Sequence, residues 1–82
     1  LYFSKHFTKD NIRINIIRPG LIQTKKSTKL KGYSKINFEK RERLVPLSKS
    51  GHPEDVSQLV KFLVEDRSSY IVGQTISVSG GE

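Results

Sequence analysis

The sequence predicts an α/β fold, and three observations lead there. An isoleucine-rich run at residues 12–17 reads as a strand that stops at Pro19-Gly20. A helix with one apolar stripe follows at residues 53–65, and a second strand closes the chain at residues 74–79. Two strands separated by a helix are expected to be parallel neighbours joined by a right-handed crossover.

Each element has its own signal. Residues 1–9 read as the last turns of a helix, with Phe3 and Phe7 on one face and Lys5 and Lys9 along a parallel row. No N-cap precedes them and the sequence holds no methionine, so we expect that Leu1 is not the natural start. Asp10-Asn11 forms a turn, with Asn11 suited to a left-handed C-cap. Along the first strand, Ile12, Ile14 and Ile16 are expected to point one way, with Arg13 and Asn15 opposite. Ile17 makes the strand end apolar on both faces, as in a buried parallel sheet. Pro19 lacks an amide for a ladder, and Gly20 permits close backbone approach or positive φ.

Residues 25–45 form a long, polar, weakly helical stretch. Gly32-Tyr33-Ser34 is expected to divide it into two short helices, and Pro46 to end it. A segment of this kind is more often a lid or binding loop than a linker. Residues 53–65 open with Pro53 at the first helical position, where no amide is needed, and Glu54 and Asp55 oppose the positive end of the dipole. Val56, Leu59, Val60 and Leu63 make the buried stripe, widened by Phe62 and Val64. Residues 66–69 turn, and Tyr70-Ile71-Val72-Gly73 leads into the last strand, with Ile76 and Val78 inward. These apolar groups, together with Ile12, Ile14 and Ile16, are expected to pack together. Phe3 and Phe7 are expected to be exposed or buried against another copy.

Composition limits the size of the core. The chain has 82 residues, of which 34% are apolar. That is below the roughly 45–50% of ordinary domains, a figure that also counts Gly. A chain of this length buries only about 60% of its unfolded surface. Three separated apolar clusters make a poor closed core, so we read the chain as half a domain that needs further surface to pack on. Cysteine is absent, which excludes disulfides, thiolate zinc sites and a cysteine nucleophile, and fits a cytoplasmic protein. No apolar run approaches the ~20 residues of a membrane span. His6 and His52 lack metal-ligand spacing, and Glu54 and Asp55 point apart on their helix. No metal site is therefore predicted.

The formal charge is +7. Much of the excess lies in residues 25–43, with Lys25, Lys26, Lys29, Lys31, Lys35, Lys40, Arg41 and Arg43. A nucleic-acid site would use such a cluster to neutralise phosphates. No helix-turn-helix, RNP motif or aromatic-interleaved basic strand accompanies it. A solvated lysine-rich surface accounts for it, and no nucleic-acid partner is expected.

Four motifs, taken in order and spacing, carry a family resemblance. They are Asn11-Ile-Arg-Ile-Asn15, Pro19-Gly-Leu-Ile-Gln-Thr24, Pro46-Leu-Ser-Lys-Ser-Gly51 followed by Pro53-Glu-Asp55, and Tyr70-Ile-Val-Gly-Gln74 with Gly80-Gly81. Each alone is weak. Jointly they resemble the C-terminal part of the short-chain dehydrogenase/reductase family, and are most similar to its 3-oxoacyl-carrier-protein reductases. The resemblance implies that residues 1–82 are the C-terminal portion of a Rossmann-type, doubly wound parallel sheet, an incomplete domain, with residues 25–45 as a substrate lid.

It also implies a cofactor, NAD or NADP. Pro19 and Gly20 would stand at the nicotinamide, the Ile22 backbone would bond its carboxamide, and the Thr24 hydroxyl would touch the carboxamide or a phosphate oxygen. Read without the resemblance, Pro19-Gly20 is a strand-ending turn and Thr24 a helix N-cap. An amide and a hydroxyl just past a strand's carboxyl end suit the ligand crevice of an open α/β sheet. The family's catalytic tyrosine and lysine form a Tyr-x-x-x-Lys pair. Tyr2 and Lys5 are three apart and do not match it. The family's serine and glycine-rich phosphate loop also have no counterpart, so no catalytic residue is assigned.

The functional expectation is a fragment of an NAD(P)-dependent oxidoreductase acting on a small carbonyl or alcohol substrate, inactive alone. Its C-terminal strand would serve a homo-oligomer, dimer or tetramer, and no membrane partner is expected. The alternatives are a small basic nucleic-acid-binding module and a structural piece of a larger assembly.

Overall fold

A computed structural model describes residues 9–82. The expected N-terminal helix, with Tyr2, Phe3, Lys5, His6 and Phe7, lies outside the described residues. The elements in order are strand β1 (Ile16–Pro19), a 3-10 turn at Ser27–Lys29, helix α1 (Gly32–Leu44), helix α2 (Pro53–Leu63), a second 3-10 turn at Asp66–Ser68 and strand β2 (Thr75–Val78). The two strands pair in parallel, with Ile16 opposite Thr75, Ile17 opposite Ile76 and Pro19 opposite Val78. Both helices lie between the strands in sequence, as an α/β crossover requires.

β1 starts later than the isoleucine run predicts. The reason lies in what opposes its first half. Gly73 has φ 72°, so the chain curls before β2 and offers no regular ladder there. Asn15 bridges the gap with its side chain, accepting from the Gln74 amide at 3.0 Å and donating to the Ile71 carbonyl at 3.0 Å. The Ile14 carbonyl takes the Gly73 amide at 2.8 Å. Asn11 takes the left-handed conformation expected of it, with φ 60°.

The face of β1 that meets α2 differs from expectation. Arg13, Asn15 and Ile17 line a groove of about 590 Å³ with Val60, Leu63 and Val64. Ile17 and Ile76, adjacent in register, are both half-buried. Ile12 and Ile16 are 47% and 44% exposed, and only Ile14 of that trio is half-buried. The physical reason is Arg13. Its guanidinium donates to the Leu63 carbonyl at 2.8 Å and to the Ser68 carbonyl at 3.0 Å, closing the carboxyl end of α2 and the turn beyond it. A cation at that end satisfies orphan carbonyls and suits the helix dipole. With Arg13 committed to α2, alternation along the chain carries Asn15 and Ile17 to the same side.

α2 begins as predicted. Pro53 occupies its first position, and the Asp55 carboxylate accepts from the His52 amide at 2.8 Å. Its half-buried stripe is Val56, Leu59, Phe62 and Leu63. Val60 and Val64, assigned inward from the pattern, are exposed on the open side of the groove.

Residues 25–45 also depart from expectation. They hold one 3-10 turn and one 13-residue helix rather than two short helices. Gly32 does not divide the helix but opens it, with φ 59° at its first residue. From Tyr33 to Leu44 there is no Gly or Pro, and Lys, Glu and Arg sustain helix well. Only Phe38 and Glu42 of this helix are half-buried. Val45, immediately after it, is the one buried hydrophobic residue among those described, at 2% exposure.

β2 ends in a bend at Gly80 and Gly81, both with positive φ. A Cβ on Gly80 would stand 2.8 Å from Val45 Cγ1, so only glycine lets the tail close on that residue. The radius of gyration is 16.3 Å, against about 12 Å for a compact domain of this length. Together with the exposed face of β1 and the two-stranded sheet, this is the architecture of part of a larger α/β domain.

Candidate functional site

The residues past β1 are held by backbone alone. Gly20 donates to the Val78 carbonyl at 2.9 Å, and a Cβ placed on it would meet Ser79 Cβ at 2.7 Å. Glycine is needed here for close approach, and Pro19 ends the strand, as the sequence predicts. The chain then makes a parallel bridge between Ile22 and Gly51. The Gly51 amide donates to the Leu21 carbonyl at 2.8 Å, and the Gln23 amide donates to the Gly51 carbonyl at 2.7 Å. In such a bridge the flanking residues do the bonding. The amide and carbonyl of Ile22 are thus turned away from Gly51, and neither makes a hydrogen bond among the described residues. A donor and an acceptor on one residue stand open at the carboxyl end of a parallel sheet.

Thr24 caps the next turn. Its hydroxyl oxygen accepts from the Ser27 amide at 3.2 Å, while its own amide donates to Ser27 Oγ at 2.8 Å. The sequence allows Thr24 as a helix N-cap, but the 3-10 helix Ser27–Lys29 has Lys26 at that position, and Thr24 instead closes the turn ahead of it. Capping uses the hydroxyl as an acceptor and leaves its proton to donate elsewhere. Pro19, Gly20, Ile22 and Thr24 therefore follow one another along the chain from the end of β1, through the Ile22 bridge, to the next turn.

A second set of contacts had no signal in the sequence. Ser50 is buried, at 4% exposure. Its Oγ accepts from Gln23 Nε2 at 2.9 Å and donates to Glu42 Oε2 at 2.8 Å, and its amide donates to the same oxygen at 3.1 Å. The side-chain bond from Ser50, and then its backbone bond, hold the Glu42 carboxyl below the usual glutamate value against a weaker desolvation effect. Ser50 belongs to the Pro46-Leu-Ser-Lys-Ser-Gly51 motif, but nothing in that motif points to its partners Gln23 and Glu42. Beneath α1 lies a cleft of about 310 Å³ lined by Gln23, Ser27, Leu30, Lys35, Phe38 and Glu42, among others. Phe38 reaches it, whereas Tyr33 is 77% exposed. Among the described residues no three His, Cys, Asp or Glu side chains gather as metal ligands, and no helix is long and apolar enough to cross a membrane.

Comparison with known proteins gives a consistent picture. The family described as Enoyl-(Acyl carrier protein) reductase matches residues 1–82. The chain is 38% identical over 79 residues to the 3-oxoacyl-[acyl-carrier-protein] reductase FabG of Thermotoga maritima, covering 96% of this chain and 31% of the relative. The 3-oxoacyl-[acyl-carrier protein] reductase of Brucella melitensis with bound NAD matches with a TM-score of 0.79 at 28% identity, over 98% of this chain and 27% of that one. The L-sorbose reductase of Gluconobacter frateurii, complexed with NADPH and L-sorbose, matches with a TM-score of 0.83 at 29% identity, over 98% of this chain and 34% of that one. The chain thus spans about a third of the length of the relatives it matches. The family description and the Thermotoga relative agree on acyl-carrier-protein reductases and differ on the bond reduced, an enoyl double bond or a 3-oxo carbonyl. With motifs, parallel sheet and sequence matches all in agreement, the chain belongs to the short-chain dehydrogenase/reductase family.

Proposed function

We propose that this chain is the nicotinamide-side wall and substrate lid of an NAD(P)-dependent oxidoreductase that moves a hydride between the cofactor and a carbonyl or alcohol carbon of a small molecule. The observation that carries this reading is the open amide and carbonyl of Ile22. A primary carboxamide presents one acceptor and two donors, the complement of that pair. The bound cofactor would supply or receive the hydride. Pro19 and Gly20 set the turn that brings Ile22 into line, and the Ile22 amide and carbonyl would hold the carboxamide of the cofactor. The Thr24 hydroxyl would donate to the carboxamide or a phosphate oxygen while it accepts from the Ser27 amide.

Relatives named as reductases, and solved structures holding NAD or NADPH, support the same assignment. Residues 25–45 serve as the lid over the cleft beside Gln23. The protein acts as a cytoplasmic homo-oligomer, dimer or tetramer, with β2 near the subunit contact. The sequence holds no Tyr-x-x-x-Lys pair and no Gly-x-x-x-Gly-x-Gly loop, so the 82 residues alone do not catalyse hydride transfer.

Two measurements test the proposal. In the whole protein that carries this segment, Thr24→Val weakens NAD(P)H binding by roughly 2- to 12-fold, the worth of one neutral hydrogen bond. Unchanged affinity for both cofactors would remove Thr24 from the site. Calorimetry on the isolated 82 residues shows no micromolar binding of NAD(H) or NADP(H), and tight binding there would overturn the division of labour.

A further inference from the structure

The contacts of α1 are few and of two kinds. Phe38 and Glu42 are its half-buried residues, and Val45 follows it, so positions spaced by four and three bring one narrow stripe to the rest of the chain. Apolar contact is not directional and leaves the roll and tilt of such a helix loosely specified. The Glu42 carboxylate supplies direction. It accepts two bonds from Ser50, and Ser50 accepts one from Gln23. The Gln23 amide is in turn fixed on the Gly51 carbonyl, beside Ile22. An unbroken polar path thus runs from the lid helix, through a buried hydroxyl, to the residue adjoining the open Ile22 pair.

We propose that Glu42, Ser50 and Gln23 form a latch that registers the lid helix against the Ile22 wall, with Glu42 as the positioning residue. The inference rests on the reading of residues 25–45 as a lid. Hydrogen bonds to a charged acceptor are about twice as strong as neutral ones and hold a defined geometry. With so little apolar area under α1, they decide where the helix rests and so shape the cleft between Gln23 and Phe38.

Amide hydrogen exchange on the whole protein, read by mass spectrometry, tests the latch. Glu42→Leu and Ser50→Ala each speed exchange at residues 33–44 by about 10-fold or more, the scale of one lost charge-assisted bond. Exchange in β1, α2 and β2 stays as in the parent. Glu42→Gln keeps an acceptor and restores part of the protection. The double variant Glu42→Leu/Ser50→Ala adds little beyond either single one, because both break the same path. Glu39→Gln removes the same charge from the same cleft without touching Ser50, and leaves exchange unchanged. Unaltered exchange at residues 33–44 in the two single variants would overturn the latch, as would equal loosening of β1 and β2 or simple additivity in the double variant. NADH and NADPH titrations of the parent protein run alongside. Absence of binding there would sink the oxidoreductase reading without touching the exchange result.

Discussion

Two regions of this chain are held by contrasting means. The parallel pair β1–β2 and helix α2 are joined by side chains that reach across the chain to backbone carbonyls. Arg13 donates to Leu63, Ser68 and Ile71, and Asn15 donates to Ile71 while accepting from Gln74. Helix α1 is held by a single carboxylate on a single serine, with one phenyl ring and one valine beside it. The first arrangement adds a charged donor to the Leu63 carbonyl at a helix end and a second donor to the Ser68 carbonyl, which already accepts from the Ile71 amide at 2.9 Å. The second leaves a helix whose exposed surface greatly exceeds its contact. Local opening is drawn from the least stable part of a fold, so α1 is expected to open more readily than the sheet and α2.

The comparison can be broken most directly at Arg13. In the whole protein, Arg13→Ala strips bonds from the end of α2 and costs about 3 kcal/mol, given that one bond to a charged group is worth roughly 1.5–3. Arg13→Lys recovers less than half of that, because an ammonium lacks the fork that spans Leu63 and Ser68. A loss below about 1 kcal/mol in a urea titration of Arg13→Ala would mean that Arg13 is not what secures the end of α2. Next comes Gly20→Ala. The added Cβ would press on Ser79 Cβ at 2.7 Å and Cα at 2.8 Å, part of it backbone that cannot swing aside. We expect a cost of about 1–3 kcal/mol, with thermal melting as the check.

Helix α1 is expected to loosen in acid. Glu42 is held below its ordinary value, so its contribution is full above the unfolded glutamate range and is lost as pH falls through the folded value. Subtracting the pH profile of Glu42→Gln from that of the parent should isolate a loss of exchange protection in α1 confined to the region below about pH 4.5. A difference that persists unchanged to lower pH would contradict the assignment.

The smallest effect is at Ser48, the one described non-glycine residue besides Asn11 with positive φ, at 57°. Ser48→Gly relieves a left-handed strain of about 1 kcal/mol or more and adds about 0.5–1 of unfolded-state entropy. A net gain of roughly 0.5 kcal/mol is expected from those two effects, and a loss in the denaturation midpoint would show that the turn is unstrained.

What could be read from the sequence was what neighbouring residues decide among themselves. Pro53 with Glu54 and Asp55 announces the start of α2, Pro19-Gly20 stops β1, Asn11 takes a left-handed turn, and the order of elements implies a parallel pair. Those signals act through local φ restrictions, the helix dipole and periodicity, and four spaced motifs were enough to name the family. The turn at Pro19-Gly20, with Ile22 and Thr24 just beyond it, was readable for the same reason, since strand end and turn are contiguous in sequence.

Tertiary structure decided the rest. Alternation could tell that Arg13, Asn15 and Ile17 share a face, but not that this face meets α2. That choice is made by carbonyls 50 and 55 residues away in sequence. The polar path depends likewise on Ser50, whose partners Gln23 and Glu42 are brought to it from either side. The parity of a strand and the partner of a buried hydroxyl are set by which distant groups would otherwise go unbonded, and only the folded chain brings those groups together.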